Sequence, residues 1–248
     1  MDLGLNGRRA AVAAASAGLG FASAMALAAE GAQVVICGRD RVRIDDAAAR
    51  IGHGCIALVH DVSDAAGGMA FIAAATEVLG GLDIVVANGG GPPAGTFEST
   101  SLEAYDSALD LSLMSVVGMA RASIPAMQRH GWGRFVAITS VSVRQPIPTL
   151  ILSNTARAGV TGFLKTVARE VAKDGVTVNS VQPGLHATDR VTSLYGPDAS
   201  AAATGIPAGV IGDPADFGGV VTFLCSDQAK FVTGLQMHVD GGSYAGLQ

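Results

Sequence analysis

The stretch Arg9-Ala-Ala-Val-Ala-Ala-Ala-Ser-Ala-Gly-Leu-Gly20 decides how the chain is read. It opens as a short apolar run, the pattern of a strand buried on both faces. It then turns through Gly18 and Gly20 and enters an alanine-rich segment over residues 19–30 that reads as helix. Strand, glycine turn and helix in that order predict the first unit of a parallel sheet. Ligands of such sheets bind beyond the carboxyl ends of the strands, where this loop falls. Gly18 and Gly20 allow close backbone approach to an anion, and the helix start supplies N–H donors. A tight strand–helix turn needs glycine in any case, so the pair alone specifies little.

The same alternation continues to the end of the chain. Strand-like runs fall at residues 9–15, 33–37, 55–59, 83–87, 134–139, 176–181 and 235–239. Helical patterns fall at 19–30, 41–51, 65–79, 102–130 with a break near Ser112, 150–173 and 215–224. Continuous Val, Ile and Ala strands with helical crossovers predict an α/β, single-domain Rossmann fold over residues 1–248. Its sheet is expected to be doubly wound, seven-stranded and parallel, with helices on both faces. Residues 188–214 are small, polar and rich in Ala, Gly and Pro, and are expected to form a lid-like segment.

Composition narrows the function classes. The 248 residues are 49% hydrophobic and 15% charged, which excludes disorder. The net charge of −5, with no block of Lys or Arg, argues against nucleic acid as a partner. Cys37, Cys55 and Cys225 lack metal-type spacing and read as reduced thiols, so no metal is expected and a cytoplasmic location is. Arg8 and Arg9 before an alanine-rich run resemble a leader, but Gly18 and Gly20 interrupt it and alanine makes a weak apolar core. No uncharged apolar stretch reaches the ~18 residues of a membrane span.

Four motifs agree in order and spacing. They are the loop Ala13 to Gly20, Ala87-Asn88-Gly89-Gly90, Pro183-Gly184 with Thr188, and Asp240-Gly241-Gly242. On these the chain resembles the classical short-chain dehydrogenases/reductases along its whole length, and within them reductases of the 3-oxoacyl-carrier-protein type. The resemblance implies NAD(P)-dependent hydride transfer between the cofactor and a carbonyl or alcohol substrate, in a homo-oligomer (dimer or tetramer). It places Ala14, Ser16, Gly18, Leu19 and Gly20 in the phosphate loop. It places Asp61 and Val62 at the adenine, Asn88, Gly89 and Gly90 near the ribose, and Pro183, Gly184 and Thr188 at the nicotinamide. Where an acidic residue would accept from the ribose of NAD, the chain has Arg39, suited to a 2′-phosphate, so NADP(H) is favoured over NAD(H). Ala14 stands where the family has its first glycine.

The catalytic positions depart from the family. Its serine is kept as Ser140. Thirteen residues on, the tyrosine position is Ser153, and four further the lysine position is Arg157. The asparagine position is Ser112. A serine hydroxyl is a far weaker acid than a phenol, while arginine stays charged and can hold a ribose hydroxyl or an anion. His186, two residues after Gly184, is the leading candidate for the missing proton donor because imidazole titrates near neutrality. Arg144 and Tyr195 are weaker candidates for the substrate side. Two alternatives stay open: a non-redox enzyme of the same fold (isomerase, lyase or cyclase), and a non-catalytic subunit or cofactor-sensing partner.

Overall fold

The computed structural model describes residues 1–196 and 205–247. Its seven strands are β1 (Arg9–Val12), β2 (Gln33–Gly38), β3 (Ile56–Val59), β4 (Ile84–Ala87), β5 (Gly133–Ile138), β6 (Val176–Pro183) and β7 (Gln236–Val239). They form one parallel sheet in the order β3-β2-β1-β4-β5-β6-β7. The chain moves outward from β1 in one direction to β3 and then returns beside β1 as β4. That reversal opens a crevice at the carboxyl ends of β1 and β4.

Helices cover both faces because the strands are apolar on both. On one face lie α3 (Ala65–Leu79), α5 (Ser115–His130) and α6 (Ile151–Val171), packed on Phe71, Met119, Phe135 and Val160. On the other lie α1 (Gly18–Ala29), α2 (Arg41–Ile51) and α8 (Pro214–Cys225), packed on Leu27, Ile44, Val86 and Phe217. The alanine-rich run after Arg9 is therefore core, with Ala24 and Ala28 fully buried in α1. Asp40 and Asp64 cap α2 and α3 by accepting from the backbone of Arg43 and Gly67.

Three details differ from the sequence expectation or sharpen it. β1 stops at Val12 because Ala14 adopts a left-handed backbone, φ +47°, and cannot continue a strand. The break near Ser112 is a π-helical turn, Asp110–Met114, which joins α4 (Ala104–Leu109) to α5 by widening the helix rather than ending it. The resulting run Ala104–His130 is long and apolar enough to cross a membrane by length and composition alone, and half of its most apolar window is buried within the fold. The segment 188–214 contains α7 (Asp189–Tyr195), and its residues 197–204 lie outside the described residues.

The opposite end of the sheet from the crevice is held by Arg134, whose side chain is almost fully enclosed. It donates to the carbonyls of Ser226 and Gly133 and lies 4.1 Å from the Trp132 ring, which also carries Arg8 at 3.8 Å. Trp132 packs against the core on this side of the sheet.

Candidate active site

A cleft of about 900 Å³ lies over the carboxyl ends of β1, β4, β5 and β6. That is at the upper end of ordinary ligand pockets and suits a dinucleotide with a small substrate beside it. Most of the residues singled out from sequence line it. They include Ala14, Ser16, Gly18 and Leu19 from the first loop, Arg39, Asp61 and Val62 beyond β2 and β3, and Asn88, Gly89 and Gly90 after β4. Ser140, Ser153, Arg157, Pro183, Gly184, His186 and Thr188 close the other end.

Local folding explains the loop. Gly20 does not line the cleft; a Cβ there would stand 2.6 Å from the Asn88 amide nitrogen and 3.0 Å from the Ala14 carbonyl oxygen. It is a close-approach glycine that lets α1 start directly on β1 and β4. Asn88 turns inward and donates to the carbonyls of Ala13 and Ala14 at 3.3 and 3.1 Å, tying the loop to β4. Its amide holds the loop backbone, a use that the resemblance alone did not indicate. Gly90, by contrast, has nothing within 4 Å of a built Cβ and faces open space. Gly18, where a Cβ would meet only the Thr188 side chain from 3.6 Å, and the α1 start supply the cradle that a dinucleotide phosphate requires.

At the adenosine end Arg39 is exposed at the cleft wall, and Arg43 joins it from the first turn of α2. Arg41 instead pairs with Asp45 at 3.4 Å on the outer surface. Asp61 also lines the wall and accepts from the Ser63 backbone, while the cap of α3 falls to Asp64. Arg43 was missed from sequence; its spacing of four from Arg39 is the signal that could have found it.

At the other end Ser140 accepts from the Ser142 backbone at 3.1 Å, which leaves its own proton free to donate into the cleft. Ser153, on the first turn of α6, is buried beside it along the same cleft. Arg157, one turn further along α6, donates to the carbonyls of Ile138 at 3.0 Å and Gly90 at 3.4 Å. Burial, with Arg190 as a neighbouring positive charge, pushes its pKa down to about 10. It remains a cation at neutral pH, and no carboxylate pairs with it among the described residues.

Two expected positions sit elsewhere. Ser112 is buried in the π-helical turn with its hydroxyl unpartnered, and it does not line the cleft; its neighbour Leu111 does. Arg144 is exposed on the loop after Ser140, outside the cleft wall. His186 has only 4% of its surface exposed. Its ring packs edge-on against Phe217 at 5.1 Å and close over Gly212, with Nδ1 3.3 Å from the Gly184 carbonyl. Burial lowers its pKa, so it is neutral at physiological pH. Tyr195 lines the cleft from α7, and Tyr244, stacked on His238 at 4.5 Å, lines it from the C-terminal segment; sequence reading passed over Tyr244. Among the described residues no cluster of three or more His, Cys, Asp or Glu is placed to hold a metal.

The comparisons agree with this geometry. The family model described as Enoyl-(Acyl carrier protein) reductase matches residues 13–244. The 3-oxoacyl-[acyl-carrier-protein] reductase of Vibrio cholerae is 32% identical over 242 residues, 98% of this chain and 99% of that one. The L-sorbose reductase of Gluconobacter frateurii, complexed with NADPH and L-sorbose, superposes with a TM-score of 0.92 at 30% identity, covering 100% of both chains. An NADPH-bound short chain oxidoreductase of Pseudomonas aeruginosa PAO1, described as containing an atypical catalytic center, superposes with a TM-score of 0.90 at 30% identity, covering 98% of this chain and 100% of that one. The chain belongs to the short-chain dehydrogenase/reductase family. The matched relatives support NAD(P)(H)-dependent oxidoreductase activity of the family's general kind.

Proposed function

We propose that the protein is an NADP(H)-dependent oxidoreductase that reduces a carbonyl or oxidises the matching alcohol through a non-standard centre. The observation that carries this reading is the convergence of the glycine loop, Arg39, Ser140, Ser153 and Arg157 on one cleft. NADPH-complexed relatives of the same fold support the cofactor. The cofactor, when bound, supplies the hydride.

The chain's own residues then have three tasks. Ser140 and Ser153 donate to the substrate oxygen and hold the carbonyl in line. Arg157 provides fixed positive charge at the place where alkoxide character develops, in a site partly shielded from water. The last proton comes from water reaching Ser153, because His186 is neutral, buried and donates its Nδ1 proton towards Gly184. The substrate end is lined mainly by apolar side chains such as Val141, Ile147, Leu150 and Leu194, which suits an uncharged carbonyl compound. Lid behaviour of the segment around α7, one domain over residues 1–248 and a homo-oligomer belong to the same reading.

Titration with NADPH and NADH, followed by a carbonyl screen read as loss of NADPH absorbance, tests it. Preferential NADPH binding with stoichiometric oxidation is expected. Substrate turnover without NADPH consumption would move the protein to the non-redox alternative. NADPH binding without turnover of any carbonyl would move it to the cofactor-sensing one.

A further inference from the structure

The segment that follows β6 touches both rims of the cleft. At Thr188 it rests on the glycine loop, where a Cβ built on Gly18 would lie 3.6 Å from the threonine methyl. Two residues on, Arg190 reaches the far rim and donates to the Pro92 carbonyl at 2.8 Å. Its guanidinium lies so close over Gly91 that a Cβ there would stand 2.9 Å from Nη2. Residues 188–190 therefore form a strap across the gap between the loop after β1 and the loop after β4.

The strap is charged in a telling way. Arg190 has no carboxylate partner among the described residues, and its one acceptor is a neutral carbonyl. Asp189 faces the same cleft without pairing with it. Arg157 lies near enough for the two positive charges to oppose each other. Arg190 spends one of its five donors on the Pro92 carbonyl, which leaves the rest of its fork free for an anion in the cleft. A charge-assisted fork to phosphate oxygens is stronger than a single bond to a carbonyl.

We propose that Arg190 is a diphosphate-binding latch, which exchanges the Pro92 carbonyl for the diphosphate bridge of the bound dinucleotide. The inference rests on the cofactor reading above and adds a residue that neither the motifs nor the resemblance assigned. It also separates two kinds of recognition within one ligand: Arg39 reads the 2′-phosphate, while Arg190 reads the bridge.

Two ligands distinguish these. NADPH carries both groups; adenosine 2′-monophosphate keeps the 2′-phosphate and has neither phosphate of the bridge. Calorimetry of the unaltered protein, Arg190→Gln, Arg190→Lys and Arg39→Ala with each ligand provides the test. Arg190→Gln is expected to weaken NADPH by about tenfold or more and leave adenosine 2′-monophosphate unchanged, and Arg190→Lys to recover part of the loss. Arg39→Ala is expected to weaken both. Equal losses for both ligands in Arg190→Gln, or no loss for either, would overturn the latch and leave the cofactor reading standing. Failure of the unaltered protein to bind NADPH would overturn the cofactor reading itself, and the latch with it.

Discussion

The Asn88 amide nitrogen donates to the Ala14 carbonyl at 3.1 Å, and the residue it secures carries φ +47°. A non-glycine residue in the left-handed region costs about 1–2 kcal/mol. The side chain of one strand end thus holds down a strained turn at another, at the floor of the cofactor cleft.

That arrangement makes Ala14→Gly a stabilising change. Relief of the left-handed strain outweighs the added flexibility of glycine, about 0.5–1 kcal/mol. The net gain is about 0.5 kcal/mol, or roughly 1–2 °C in Tm for a chain of this size. Asn88→Ala goes the other way and costs about 1–2 kcal/mol through two orphaned carbonyls. Thermal unfolding of both variants checks this, and a lower Tm for Ala14→Gly would contradict the strain.

Arg9 and Asp83 join the starts of β1 and β4 by a two-pronged pair, 2.9 Å from Nε to Oδ2 and 2.7 Å from Nη2 to Oδ1. Burial pushes the Asp83 pKa up, but the hydrogen bonds and charge of Arg9 together outweigh it and hold the carboxyl below its ordinary value of 3.8. A depressed carboxyl stabilises the fold above its ordinary pKa, and that stability is lost as pH falls through the folded value. Asp83→Asn is expected to cost about 2 kcal/mol at neutral pH and to flatten the acid limb of a stability curve below pH 3.8. Denaturant midpoints across that limb measure the effect.

For His186 the window is different. Burial depresses the imidazole pKa below 6.5, so the native state binds fewer protons there than the unfolded chain. The contribution is fully present above 6.5 and is lost as pH falls through the folded value. His186→Gln is expected to make stability flatter across this range and to leave the alkaline side unchanged. A kcat that drops at neutral pH in the same variant would return His186 to the catalytic centre.

If Arg157 supplies the charge at the reacting oxygen, as proposed, it sets the expected pH dependence of turnover. With its pKa at about 10, the guanidinium stays charged across the neutral range. The rate of hydride transfer is expected to be flat on the alkaline side until pH approaches that value. A group of the family's tyrosine–lysine kind would instead give a titration near neutrality. Arg157→Met is expected to reduce kcat by about 10²-fold with a smaller change in KM. A steady-state pH profile of both proteins decides it.

Much of this was legible in the sequence because the signals were local. The run from Arg9 to Gly20 announced strand, turn and helix, and the β-rich segments ending in small or polar residues placed the cleft at the right end of the sheet. The π-helical turn appeared as a break at Ser112, since a widened helix shifts the apolar period without ending it. Other features were not local. Nothing in the sequence shows that Asn88 faces the first loop rather than the ligand, because that depends on β1 and β4 being neighbours. Arg190 carries no local signal, because its acceptor, the Pro92 carbonyl, lies 98 residues away in the chain. Tyr244 reaches the cleft only through the path of the chain after β7, which Asp240 sets by accepting from the backbones of Gly242 and Tyr244. The buried Ser112 shows the limit of carrying over a motif by spacing, since a position can align and still point away.

Burial pushes the thiols of Cys37, Cys55 and Cys225 up to about 12. At neutral pH only about one in 10⁵ of each is thiolate, the form that peroxides and electrophiles attack. These three thiols are expected to react slowly with peroxides and alkylating agents. The protein's activity is therefore expected to respond to the cell's nicotinamide balance with little direct control through its cysteines.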